Sequence, residues 1–196
     1  MAANTENSGG QRGSRWRIAA WVTAAALMLL PLFAMQVTDE VVWDLFDFAF
    51  FGALLAGAGF TYELLARKTG STAYRAAVGV ALAGAFILVW MNAAVGIIGT
   101  ERDDANLMFG GVLAVGIIGA IVARFQPGGM ARALLATALA QVLVAVIALI
   151  GGLGSAGPIW PRDILVLTGF FAALWLISAW LFRKAAWEQT PASVVP

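Results

Sequence analysis

Apolar residues dominate this chain in long unbroken runs, and the polar residues fall mostly in short segments between them. The runs cover residues 18–36, 41–66, 74–99, 106–124, 130–151 and 163–182. Each approaches or exceeds the ~20 residues that carry a helix across ~30 Å of hydrocarbon at ~1.5 Å per residue. A lipid-embedded backbone must satisfy its own hydrogen bonds, so helices are the expected form. The pattern predicts an all-α, polytopic transmembrane helical bundle of six spans over residues 17–184. A polar tail at residues 1–16, rich in Asn, Gly and Ser, is expected to be disordered, and residues 185–196 form a second, short tail.

Local chemistry marks the joints between the runs. Pro31 falls late in the first span, where it removes a backbone donor and is expected to bend the helix. Asp39 and Glu40 form an acidic turn before the second span, which closes on Arg67 and Lys68. Glu63 stands four residues before Arg67, the spacing of an ion pair on one helix face. The segment Thr100-Glu-Arg-Asp-Asp-Ala105 separates spans three and four, and Gln126-Pro-Gly-Gly129 is expected to be the turn before span five.

Composition narrows the chemistry. Hydrophobic residues make up 61% of the chain and charged residues 12%. Soluble domains carry ~45–50% and ~25%. A net charge of +1 leaves no nucleic-acid footprint. The chain has no His and no Cys, which removes haem ligation, iron–sulfur clusters, typical zinc sites and Ser-His or Cys-His nucleophiles. No cofactor or metal site is expected; hard cations and protons on carboxylates remain within reach of its side chains.

Charge distribution sets the expected orientation. All but Arg102 and Arg162 of the 12 basic residues lie on the side of the two tails, and all but Glu6, Glu63 and Glu188 of the 11 acids lie on the other. The positive-inside rule therefore places both termini in the cytoplasm. Arg17, Arg75 and Arg132 recur at near-equal intervals, each before an Ala-rich run. Spans two, four and six share the related segments Phe51-Gly-Ala-Leu-Leu, Phe109-Gly-Gly-Val-Leu and Phe171-Ala-Ala-Leu-Trp. Three tandem helical hairpins would account for both features.

Within this apolar frame a few polar side chains stand out. Asp44 and Asp47 lie in what reads as the start of span two, three residues apart and so on one helix face. Asn92 in span three and Asn106 at the start of span four fall at matching depth. Together Asp44, Asp47, Asn92 and Asn106 form the candidate ligand-binding layer, with Asp47 and Asn92 expected within hydrogen-bonding reach. The competing explanation is that acids near helix starts complement the helix dipole, and it accounts better for the loop acids than for Asp47. Gln141, near mid-membrane, is expected to hydrogen-bond across helices. Gly52, Ala56 and Gly59, and Gly110, Ala114 and Gly119, are expected to be packing seams.

The segment Met91-Asn-Ala-Ala-Val-Gly-Ile-Ile-Gly-Thr-Glu-Arg-Asp-Asp-Ala-Asn106 and its continuation to Gly119 resemble the small uncharacterised six-span inner-membrane proteins of bacteria. The resemblance implies a bacterial inner-membrane location and brings no assigned activity. Two functional readings stand side by side. One is a non-enzymatic protein, in contact with the lipid bilayer, that binds a small solute, ion or lipid through the polar layer near the periplasmic face, or serves a membrane-protein partner as an accessory subunit. The other is a membrane-embedded enzyme acting on lipid head groups with Asp44 or Asp47 as general base.

Overall fold

The computed structural model describes the backbone of residues 7–38, 42–67, 69–157 and 159–189. Asp39, Glu40 and Lys68 of the expected turns lie outside these residues. Among the described residues the chain is entirely helical, with α1 at Asn7–Val37, α2 at Leu45–Ala66, α3 at Thr72–Ala94, α4 at Met108–Val122, α5 at Pro127–Ile150 and α6 at Arg162–Glu188. A 3₁₀ turn at Asp104–Leu107 leads into α4. Five of these helices, α4 counted with its leading turn, are long and apolar enough to cross a membrane, and α1 contributes a shorter apolar stretch at Trp21–Val37. The result is a helical membrane bundle.

Several helix boundaries move from their expected places. The α1 backbone is already helical at Asn7, inside the tail expected to be disordered, because extending a formed helix adds one hydrogen bond per residue without a new nucleus. Likewise α6 continues past Phe182 to Glu188. The expected Gln126–Gly129 turn is instead the start of α5: Gln126 is its N-cap and Pro127 occupies the first turn, where a missing N–H costs nothing. The reversal itself falls on Arg124 and Phe125, with φ of 49° and 59°. This left-handed backbone costs a non-glycine residue roughly 1 kcal/mol, and buried Tyr74 helps hold it by donating its hydroxyl to Phe125 O at 2.9 Å. Gly129 serves proximity rather than turning, since a Cβ there would come within 2.6 Å of Ala123 Cβ.

The chain divides into two compact units, Met1–Thr61 and Tyr62–Pro196. In the first, α1 and α2 meet through small residues: a Cβ on Gly52 would lie 3.1 Å from Met28 Cε, and one on Gly59 would lie 3.4 Å from the Trp21 ring. This seam lies where the sequence placed it.

In the second unit the helices pair in an order that chain sequence does not suggest. α5 packs on α6, α3 on α6 and α4 on α5, whereas the neighbours α3 and α4 barely touch. The expected middle hairpin is therefore splayed rather than self-packed. Close approach explains two of these pairings. On the α4–α5 side, Gly119 faces Ala133, where an added Cβ would lie 2.7 Å from the Ala133 Cβ, and Gly116 faces the Thr137 hydroxyl. On the α3–α6 side, Gly84 makes room for the Trp175 ring, and the Ser178 hydroxyl donates to Ala77 O at 2.7 Å. Phe171, Trp175 and Phe182 of α6 lie buried in the resulting core.

One end of this unit is tied by polar contacts. Ser71 caps α3, accepting from the Tyr74 N–H and donating to Glu188 Oε2 at 2.8 Å. Arg75 reaches back to Ala66 O at the end of α2 and to Thr69 O in the connection that follows, and the expected Arg67–Glu63 ion pair is formed at 2.8 Å.

Candidate functional site

At the opposite end of the unit, residues 95–107 bridge the gap between α3 and α4, and their shape is set by Asn106. Its Oδ1 accepts from the N–H groups of Ile97 and Ile98, both at 2.9 Å, and its Nδ2 donates to Ile98 O at 3.0 Å and Thr100 O at 2.7 Å. The side chain is 8% exposed, and Ile97 and Ile98 are buried with it. An Asn amide has two donors and an acceptor with two lone pairs, so all four of its bonds go to the loop backbone. Asn106, expected to be a ligand group, is the staple of this loop.

Two further devices fix the loop. Asp103 accepts from the Ala105 N–H at 3.0 Å and so caps the 3₁₀ turn that delivers Asn106. Gly99, at φ +70°, meets Gly154 of the neighbouring loop so closely that a Cβ on Gly154 would stand 2.7 Å from Gly99 N. The two loops at this end are therefore packed on each other, backbone against backbone.

Beneath the loop, where α3 and α4 diverge, lies a cavity of about 350 Å³. Its walls are apolar, with Leu88 and Val89 from α3 and Phe109 and Leu113 from α4, while Glu101, Arg102, Asp103 and Asp104 line its loop end. Asn92 and Asn106 both contribute to the lining, so two of the four expected site residues meet in one place. Asn92 donates from Nδ2 to Leu88 O at 2.8 Å, whereas its Oδ1 is shielded from solvent and has no hydrogen-bond partner among the described residues. Gly110 also borders the cavity, and a Cβ there would meet nothing within 4 Å.

The charges at the loop end are unequal. Arg102 lies 3.6 Å from Glu101 with its side chain 91% exposed, which leaves Asp103 and Asp104 without a cation of their own in the cavity lining. Glu101, Asp103 and Asp104 do not converge into a group that could hold a metal ion among the described residues.

Asp44 and Asp47 belong to the other unit, and they act on each other's backbone. The Asp47 N–H donates to Asp44 Oδ1 at 2.9 Å, and the Asp44 N–H donates to Asp47 Oδ2 at 3.0 Å. This is reciprocal capping of a helix that starts at Leu45, not at Val41. Asp47 therefore stands in the first helical turn, where the helix dipole also favours a carboxylate. The signal was present in the spacing Asp44-x-x-Asp47 followed by an apolar run, and the apolar residues before Asp44 obscured it.

Gln141 departs from expectation in another way. It is fully buried, yet neither amide atom has a hydrogen-bond partner among the described residues, and Thr168 and Trp175 on α6 also carry unpaired buried polar atoms. Comparison of the chain with protein-family models, with curated proteins and with solved structures returns no match.

Proposed function

We propose that this protein binds a small amphipathic ligand in the cleft between α3 and α4 and acts without a chemical step. The observation that carries this reading is the cavity itself: about 350 Å³, apolar along its helical walls and charged at its loop end. Ligand pockets are commonly ~300–1,000 Å³, mostly apolar and furnished with a few placed polar groups. The helix pairing supports it further, since α3 and α4 are each held by a different partner helix and a ligand between them disturbs neither contact.

The carboxylates considered for general-base chemistry, Asp44 and Asp47, are engaged in capping α2, which favours binding over catalysis. Orientation follows from charge. Arg67, Arg75, Arg124, Arg132, Arg183 and Lys184 lie toward the end of the second unit remote from the cleft, and only Arg102 and Arg162 lie toward the cleft end. By the positive-inside rule the cleft faces away from the cytoplasm, with both termini cytoplasmic, as in a bacterial inner-membrane protein.

Thermal unfolding of the detergent-solubilised protein during titration with a neutral monoacylglycerol tests the reading. A ligand at about 100 times its Kd stabilises the folded state by ~2.7 kcal/mol. The wild type should gain stability with concentration, and Gly110→Trp, which fills the cleft, should not. Equal gains in both proteins, or none in either, would refute binding at this site.

A further inference from the structure

We infer that the occupant of the cleft is a membrane lipid whose head group carries a primary ammonium, held with the head at the loop end and the start of its chain between α3 and α4. This rests on the binding function proposed above and adds the class of ligand. Three observations point the same way.

First, the cleft is divided by polarity along its length. Leu88, Val89, Phe109 and Leu113 make the helical walls, and the charged residues are confined to the segment between Glu101 and Asp104. A freely soluble ion has no use for such walls, whereas a lipid has both parts. Second, the size suits a head group with the beginning of a chain: about 350 Å³ holds ~12 heavy atoms at the ~30 Å³ that a water occupies in the liquid. The rest of the chain would continue along the apolar helices.

Third, the charge selects a cation of a particular kind. Three carboxylates, from Glu101, Asp103 and Asp104, face one guanidinium, and Arg102 is turned outward beside Glu101. The carboxylates do not gather closely enough to form a metal cage, so a diffuse set of acceptors remains. An ammonium with three donors can address several separate acceptors at once. A phosphate on the same head group has Arg102 at the rim. An anionic head group without an ammonium would instead meet the excess of negative charge.

Native mass spectrometry of the protein, after incubation with phosphatidylethanolamine or phosphatidylglycerol of identical acyl chains, tests this. The proteins compared are the wild type, the Glu101→Gln/Asp104→Asn double variant and Gly110→Trp. Asp103 is left intact because it caps the 3₁₀ turn. The expected result is that wild type retains phosphatidylethanolamine preferentially, with the preference falling about two- to five-fold for each carboxylate removed. Gly110→Trp should lose retention of both lipids. It places a side chain into open space and replaces a helical glycine, so it is expected to fold. If wild type retains both lipids equally and Gly110→Trp loses both, the ammonium selection is overturned while the cleft remains a binding site. If Gly110→Trp retains lipid as the wild type does, the lipid sits elsewhere and both readings fail.

Discussion

Replacing Asn106 with Ala tests whether this residue organises the loop or serves a ligand. The substitution removes four hydrogen bonds, of 2.7 to 3.0 Å, between one side chain and the backbone of Ile97, Ile98 and Thr100. A net contribution of ~0.5–1.5 kcal/mol per bond gives a loss of roughly 2–6 kcal/mol. Thr100 is exposed, so water replaces part of what its carbonyl loses. Ile97 and Ile98 are buried, and each N–H left without an acceptor costs a further ~1–3 kcal/mol unless the loop opens to admit water. The expectation is about 4 kcal/mol, or on the order of 10 °C in Tm for a chain of this size. Unfolding in detergent can be followed through the 8 Trp residues. Asn92→Ala is the control, because it deletes one bond within its own helix and should cost about 1 kcal/mol. A shift below ~2 °C for Asn106→Ala, or equal shifts for the two variants, would show that the staple contributes little and that the shared polar layer is the better description.

Two further substitutions test the core of the second unit. Gly119→Leu should split α4 from α5, because the first added carbon already collides with Ala133; a loss of ~1–3 kcal/mol is expected by thermal unfolding, and an unchanged Tm would mean that the two helices are farther apart than described. Gln141→Met keeps the length of the side chain and removes an amide with no partner among the described residues, so stability should stay level or rise by ~1–3 kcal/mol; a clear loss would reveal a buried water or other group bonded to the amide.

The sequence by itself determined the class of the protein and much of its local order. Long apolar runs can satisfy their backbones in lipid only as helices, and most joints were visible where charge interrupted them, whereas Pro31 lies within α1 and Pro127 within the first turn of α5. The Glu63–Arg67 pair and the glycine seam of Gly52 and Gly59 are contacts between residues whose spacing or size already implied them. Pairing among the helices of the second unit was decided only in three dimensions. In a soluble helix the buried face is marked by its apolarity, but here Phe171 is buried and its neighbour Phe170 exposed, while Leu134 is buried and Leu135 and Leu139 are not. Lipid accepts the same side chains as the core does, so the stripe that reports packing is erased, and the splay of α3 from α4 with it. The site residues divided along the same line. Asp44 and Asp47 bond locally, and their capping spacing could be read from the chain. Asn106 closes a loop through groups six to nine residues away, and whether its amide meets a ligand or its own backbone depended on two glycines at Gly96 and Gly99 folding that loop back onto it.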